Sequence, residues 1–273
     1  SMSIINIQNL TRDYGSKKGV FDVSIQVEKG EVFGFLGPNG AGKTTTIRHL
    51  MGFINPKIGS CQIDGLDCWK NHDEIQKRLG YIPGEINFFD DLTGKEFLKF
   101  VADYRDVGKD NRMQEMIERF ELDTRSKIKK MSKGMKQKLG IVAAFMHDPD
   151  ILILDEPTSG LDPLMQNRFI ELIAEEKKRG KTILLSSHML EEVESTCDRI
   201  GIIRNGKIVT VDSVETLKKR HMHTYTVHLN SPELAEAFAR DFDGECNGNS
   251  VTVTAKQSLD TIFMNYYGGK YND

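Results

Sequence analysis

Gly37-Pro38-Asn39-Gly40-Ala41-Gly42-Lys43-Thr44 spaces its glycines, lysine and hydroxyl as a polyphosphate requires. Glycines let the chain curl until several backbone N–H groups point into one concavity, which can take phosphate oxygens. Lys43 supplies a point charge for the outer phosphates, and the Thr44 hydroxyl is a hard oxygen ligand for a magnesium ion travelling with the nucleotide. Farther along, Ile151-Leu152-Ile153-Leu154 runs straight into Asp155 and Glu156. Four apolar residues suit a parallel strand buried on both faces, and the C-terminal ends of such strands are where open α/β sheets meet ligands. Asp155 is then a second anchor for magnesium, while Glu156, facing elsewhere, can orient or deprotonate a water attacking a γ-phosphate. The two acids also fit a blander pattern, an acidic helix start with Pro157 at an early helical position. Loop, lysine and acids together describe an ATP or GTP site.

The elements around these residues are those the chemistry needs. Val32-Phe33-Gly34-Phe35-Leu36 reads as a buried strand feeding the loop, and Thr45 to Met51 as a helix that stops at Gly52. Phosphates would then meet a helix N-terminus, where orphan N–H groups and the dipole favour anions. Thr182 to Ser187 is a further strand, ending at His188. Ile4 to Leu10 forms a first strand with Tyr14 shortly after it, and Phe21, Val23, Ile25 and Val27 alternate with polar residues as in a half-buried antiparallel strand. From Leu92 to about Met146 the period turns helical, with Phe97, Leu98, Val101 and Ala102 on one face. Arg199 to Ile203 and Lys207 to Val211 enclose Asn205-Gly206, a hairpin turn.

Composition narrows the classes. The chain has 273 residues and a net charge of −3, enough for one large and one small domain and without the basic excess that nucleic-acid binding needs. Its longest apolar run, Ile141 to Met146, is far too short to cross a bilayer. Cys61, Cys68, Cys197 and Cys246 show no Cys-x-x-Cys spacing, so reduced thiols are expected and not a zinc site.

Between the loop and the acids lies Met131-Ser132-Lys133-Gly134-Met135-Lys136-Gln137, and after them come Ser159-Gly160-Leu161-Asp162 and His188. With that order of motifs, residues 3 to about 215 resemble an ABC transporter ATPase. The resemblance implies an α/β P-loop NTPase core with an N-terminal antiparallel β region and an α-helical signature subdomain. It also implies that ATP is clamped between the phosphate loop, Gly37 to Thr45, of one cassette and Ser132, Gly134 and Met135 of a second, in a homodimer or heterodimer. Tyr14 matches the aromatic that stacks on adenine, Asp162 the acid that communicates between the two sites, and Glu156 and His188 the pair that positions the attacking water. Thr44 and Asp155 match the Mg2+ ligands. Physically, Ser132 would cap a helix starting near Lys133, offering its hydroxyl and the Gly134 N–H as a second anion site.

Two departures from the family stand out. Pro83-Gly84-Glu85 occupies the stretch where a magnesium-ligating glutamine is usual, so Glu85 is either a substitute ligand or a solvated turn acid. Lys133 and Met135 replace a glycine and a glutamine. Met135-Lys136-Gln137 and Tyr-x-Pro-Gly-Glu resemble the branch that serves type-two exporters. That branch implies an integral-membrane permease partner, a position on the cytoplasmic face of the membrane, and no nucleic acid. The alternative is a soluble ABC ATPase acting on nucleic acid or the ribosome, yet the long coiled coil, zinc cysteines or second cassette of those relatives are missing here. The expected domains are 2–220, with the helical subdomain at about 92–146, and a small α+β domain at 221–273. In the latter, Ser231-Pro232 opens one helix and Leu259 to Tyr267 forms another.

Overall fold

Strand β1 (Ser3–Gly15) and strand β2 (Lys18–Glu28) pair as a long antiparallel hairpin. In β2 the buried residues are Val20, Val23, Ile25 and Val27, whereas Phe21 is only half-buried. The expected alternation slips there because Asp22, at φ 55, inserts a bulge that turns Val20 inward. β1 also runs past Leu10, so Tyr14 belongs to the strand near the hairpin's tip and does not follow it. The structure is a computed structural model and describes residues 3–87, 89–106, 108, 111–220, 222–256 and 259.

β3 (Val32–Leu36) is buried throughout and leads through the loop into helix α1 (Lys43–Leu50). β4 (Ile58–Ile63) and β5 (Leu66–Asp67) complete a four-stranded antiparallel sheet in the order β2-β1-β4-β5. Helix α2 (His72–Arg78) precedes β6 (Leu79–Ile82). The helical stretch follows as α3 (Gly94–Tyr104), α4 (Met113–Arg119) and α5 (Lys133–Phe145). Thr93 opens α3 with a capping box, its hydroxyl accepting the Glu96 N–H while the Glu96 carboxylate takes the Thr93 N–H. α4 is tied to the strand-bearing part of the chain by Arg112, whose guanidinium lies 2.6 Å from the buried Glu176 carboxylate.

β7 (Ile151–Asp155), α6 (Pro163–Lys178), β8 (Thr182–Ser187), α7 (Leu190–Thr196), β9 (Arg199–Arg204) and β10 (Lys207–Ser213) finish this unit. Six strands form one sheet in the order β10-β9-β3-β8-β7-β6. β8 pairs in parallel with β3 on one side and β7 on the other. That order brings three strand ends side by side: the phosphate loop after β3, His188 after β8, and the acids at the end of β7. The sheets and α1 share a core in which Ile5, Ile7, Val23 and Val27 meet Phe33, Phe35, Ile47, Ile153 and Leu184. Each such side chain contributes roughly 1.5–3 kcal/mol by leaving water, which fixes the strand ends to a rigid body.

The chain separates into two compact units, Ser1–Val211 and Asp212–Asp273. The second holds α8 (Val214–Arg220), β11 (Met222–His228), α9 (Pro232–Phe242), β12 (Glu245–Asn247) and β13 (Ser250–Lys256), with strand order β11-β13-β12. Ser231 caps α9 as its sequence suggests, its hydroxyl accepting the Leu234 N–H. The helix expected at Leu259 to Tyr267 lies outside the described residues, apart from a buried Leu259. Among the described residues no helix is long and apolar enough to cross a membrane.

Candidate nucleotide site

Gly42 closes the phosphate loop at φ 109, and a Cβ there would lie 2.8 Å from Val20 Cγ1. Only glycine lets α1 start immediately at Lys43. The first turn of α1 carries no acid, so its dipole end is left for an anion. Pro38 and Ala41 build the loop from within: the Ala41 N–H bonds to the Pro38 carbonyl at 3.1 Å, and the Ala41 carbonyl accepts the Gly206 N–H at 2.9 Å. Before the loop opens a cleft of about 960 Å³, lined among others by Tyr14, Asn39, Gly40, Thr45, Glu85 and Glu156. Tyr14 is 51% exposed there, with the Arg12 guanidinium 5.3 Å from its ring centre.

The buried Lys43 ammonium donates to the Gly37 carbonyl and, at 2.8 Å, to Glu156 Oε1. The other oxygen of Glu156 lies 3.0 Å from His188 Nδ1. One carboxylate therefore bridges the cation of the loop and the imidazole after β8. The Glu156 backbone has φ 49, a left-handed conformation that costs a non-glycine residue on the order of 1–3 kcal/mol. It is held from one side by Ser186, whose carbonyl and hydroxyl accept the Glu156 N–H at 3.2 and 3.0 Å.

Asp155 is 1% exposed. Its carboxylate accepts hydrogen bonds from the Thr44 hydroxyl at 2.9 Å and from the Ser186 hydroxyl. Burial pushes its pKa up, while the two hydroxyl donors hold it down. Gly84 lies hard against this pair: a Cβ on it would be 2.7 Å from Asp155 Oδ2 and 3.6 Å from Thr44 Oγ1. The Glu85 carboxylate is exposed at the cleft edge and makes no hydrogen bond or ion pair with the described residues. A hydroxyl and one carboxylate suit a hard cation that takes its remaining oxygens from phosphates and water; no cluster of three or more acids, histidines or cysteines forms a metal cage among the described residues.

Ser132 caps α5, its hydroxyl accepting the Met135 N–H at 3.2 Å. Gly134 packs so closely on the segment after Glu156 that an added Cβ would lie 2.9 Å from the Gly160 carbonyl. Asp162 caps α6 through the Met165 N–H at 2.9 Å. This settles the blander pattern of the two acids, since the helix begins at Pro163 and not at Pro157. Lys43, Thr44, Asp155, Glu156 and His188 are thus brought together at the strand ends, with Tyr14 on the same cleft. Ser132, Gly134, Met135 and Asp162 do not line it.

The ABC transporter domain family matches residues 20–159. The bacitracin transport ATP-binding protein BcrA of Bacillus licheniformis is 44% identical over 224 residues, 80% of this chain and 72% of that one. The chain belongs to the ABC transporter ATP-binding family. ABC ATP-binding protein NatA of Bacillus subtilis is 38% identical, with 78% of this chain and 91% of that one aligned. The linearmycin resistance ATP-binding protein LnrL of the same organism is 35% identical, covering 92% of this chain and 82% of its own length. A solved ATP-binding subunit of an ABC transporter superposes with a TM-score of 0.73 at 31% identity, covering 80% of this chain and 93% of that one. As an ABC ATP-binding subunit, the chain binds and hydrolyses ATP.

Two residues of this ABC ATPase have no signal in sequence spacing. Gln137 is buried, and its amide donates to the Pro157 carbonyl at 2.7 Å, tying α5 to the residue after Glu156. Glu192 stands in a run of acids that reads as a solvated helix face, yet it is 4% exposed and accepts the Thr158 hydroxyl at 2.7 Å. Only the fold brings either of them to the strand ends.

Proposed function

We propose that the chain powers export through a separate permease by ATP-driven head-to-tail pairing of two cassettes at the cytoplasmic face of the membrane. The observation that carries the ATP-driven part of this reading is the Glu156 carboxylate held between Lys43 and His188. An arriving γ-phosphate competes for the Lys43 ammonium, the stronger anion taking the cation. Glu156 then retains His188 as its partner and has an oxygen free to orient or deprotonate water. Thr44 and Asp155 would hold Mg2+, which when bound neutralises charge on the phosphate oxygens. Tyr14 offers an exposed ring for adenine. Ser132, Gly134 and Met135 do not line their own cleft and would cap the γ-phosphate of a partner, and Asp162 ends the segment whose Gly160 packs on Gly134. One relative is named for bacitracin transport and another for linearmycin resistance, and export is the direction of transport that would confer resistance.

The test is affinity purification of a tagged Glu156→Gln chain from native membranes in the presence of ATP. The expected result is recovery of an untagged second cassette together with an integral-membrane protein. For the purified cassette alone, Ser132→Arg in both copies should abolish ATP-dependent pairing of the Glu156→Gln chain, while a Lys43→Ala copy mixed with a Ser132→Arg copy should still pair through one intact site. Ribosomes or nucleic acid in place of the membrane protein would overturn the export reading.

A further inference from the structure

The chain from Pro157 to Asp162 forms a strap between the carboxylate that faces the cleft and helix α6. Its second residue, Thr158, is buried and donates its hydroxyl to Glu192 Oε2 at 2.7 Å. Glu192 belongs to α7, which follows β8 through Ser187, His188 and Met189. The Ser187 hydroxyl lies 3.5 Å from the same carboxyl oxygen and accepts the Met189 N–H at 2.9 Å, so both residues flanking His188 are tied to it directly or through one bond. A single side chain thereby touches the segment that leaves Glu156 and the segment that carries His188.

The other oxygen of Glu192, Oε1, is buried without a partner. A full negative charge is poorly served there, and burial, reinforced by the charge of Glu156 and opposed by the Thr158 and Ser187 hydroxyls and by Lys43, lifts the pKa to about 7. The titratable groups that face it are Glu156, Lys43 and the Cys197 thiol. An isolated buried acid with one satisfied oxygen would be discarded in favour of an apolar residue if packing were its purpose. What it supplies in return is a directional grip on Thr158.

We infer that Glu192 is a positioning residue for hydrolysis, which grips Thr158 from behind His188 and so fixes where the Glu156 carboxylate meets the imidazole. The inference rests on the reading of Glu156 as the group that acts on the attacking water. Without the grip, the segment that leaves the left-handed Glu156 keeps the Gln137 bond to the Pro157 carbonyl but loses its anchor behind His188, and the carboxylate can shift relative to the imidazole. ATP affinity, which depends on the loop, should hardly change.

The experiment is steady-state ATPase kinetics of Glu192→Ala, Glu192→Gln and Thr158→Val beside Glu156→Gln. Glu192→Ala is expected to lower kcat at least about tenfold with KM within about threefold of the parent. Glu192→Gln keeps both the volume and an amide oxygen that accepts the Thr158 hydroxyl and should recover most of that loss, whereas Glu192→Met, assayed beside it, keeps about the volume alone and should not; recovery by the methionine chain overturns the inference. Thr158→Val, which keeps the shape and removes the hydroxyl, should fall with Glu192→Ala and decides the matter if the alanine chain does not fold. A kcat for both Glu192→Ala and Thr158→Val within about twofold of the parent overturns the inference. So does an equal loss in the glutamine and alanine chains. Near-parental turnover by Glu156→Gln would instead remove the reading beneath it.

Discussion

The phosphate loop and the strap after Glu156 both turn the end of a buried parallel strand toward the cleft, but they are built in opposite ways. The loop is nearly self-sufficient: its curvature comes from its own glycines, and its lysine folds back on the Gly37 carbonyl within the same eight residues. The strap depends on distant donors and acceptors. Ser186 holds Glu156, Gln137 holds Pro157 and Glu192 holds Thr158, across sequence separations of 30, 20 and 34 residues. A site made from backbone is robust to changes elsewhere, whereas one made from remote side chains can be retuned from several elements. Binding and hydrolysis should therefore separate when the two regions are perturbed one at a time.

The largest expected effect comes from the carboxylate at the head of the strap. Glu156→Gln should lower turnover by about 10²-fold or more while leaving ATP binding in place. Equilibrium binding of a fluorescent nucleotide beside an ATPase assay checks both halves. Turnover within a few-fold of the parent would break the comparison, because hydrolysis would then rest on the loop alone.

A smaller effect concerns stability and pH. The Glu192 carboxyl has a pKa of about 7 in the folded chain against an ordinary 4.5, so between those values the folded state holds a proton that the unfolded state has released. Stability then falls as pH rises through that window, and the loss is complete above it, on the order of 3 kcal/mol. Glu192→Gln does not titrate. Its Tm relative to the parent should rise between pH 5 and pH 8, and scanning calorimetry at both values reads it out. A constant difference would mean that Glu192 is ionised throughout and that its grip on Thr158 is that of a carboxylate.

The smallest effect belongs to the cleft edge at Gly84 and Glu85. If the free Glu85 carboxylate helps to hold magnesium, Glu85→Ala should raise the magnesium needed for half-maximal ATPase activity by about threefold. Gly84→Gln restores the residue common in the family, yet its Cβ would come within 2.7 Å of Asp155 Oδ2, so Asp155 has to move. The magnesium requirement is then expected to rise and not to fall. A magnesium titration of the single and double variants separates these outcomes, and an unchanged Glu85→Ala curve would reduce Glu85 to a turn acid.

How much of this was legible beforehand follows the same division. The loop, the strand ending in Asp155 and Glu156, the Ser132 cap and the Asn205-Gly206 hairpin are signalled by residues within a few positions of one another, and local chemistry decides them. The bulge at Asp22 is not so signalled, because it depends on the register of β2 against β1. The two-residue β5 and three-residue β12 carry too little pattern to stand out. Glu192 and Gln137 were beyond reach for a different reason: an acid in an acidic helix and a glutamine in a polar turn of helix look solvated until the fold buries them. Asp155, Glu156 and His188 could be named in advance, whereas the carboxylate bridge from Lys43 to His188 needed the strand order β3-β8-β7.

The left-handed backbone of Glu156 sets strain and charge pairing against each other at a single residue. Glycine at 156 would relax the backbone but leave the buried Lys43 ammonium without its carboxylate, so the strain is worth keeping until an anion arrives to replace that partner. An empty cleft therefore holds its own acid in a posture that a bound phosphate would release.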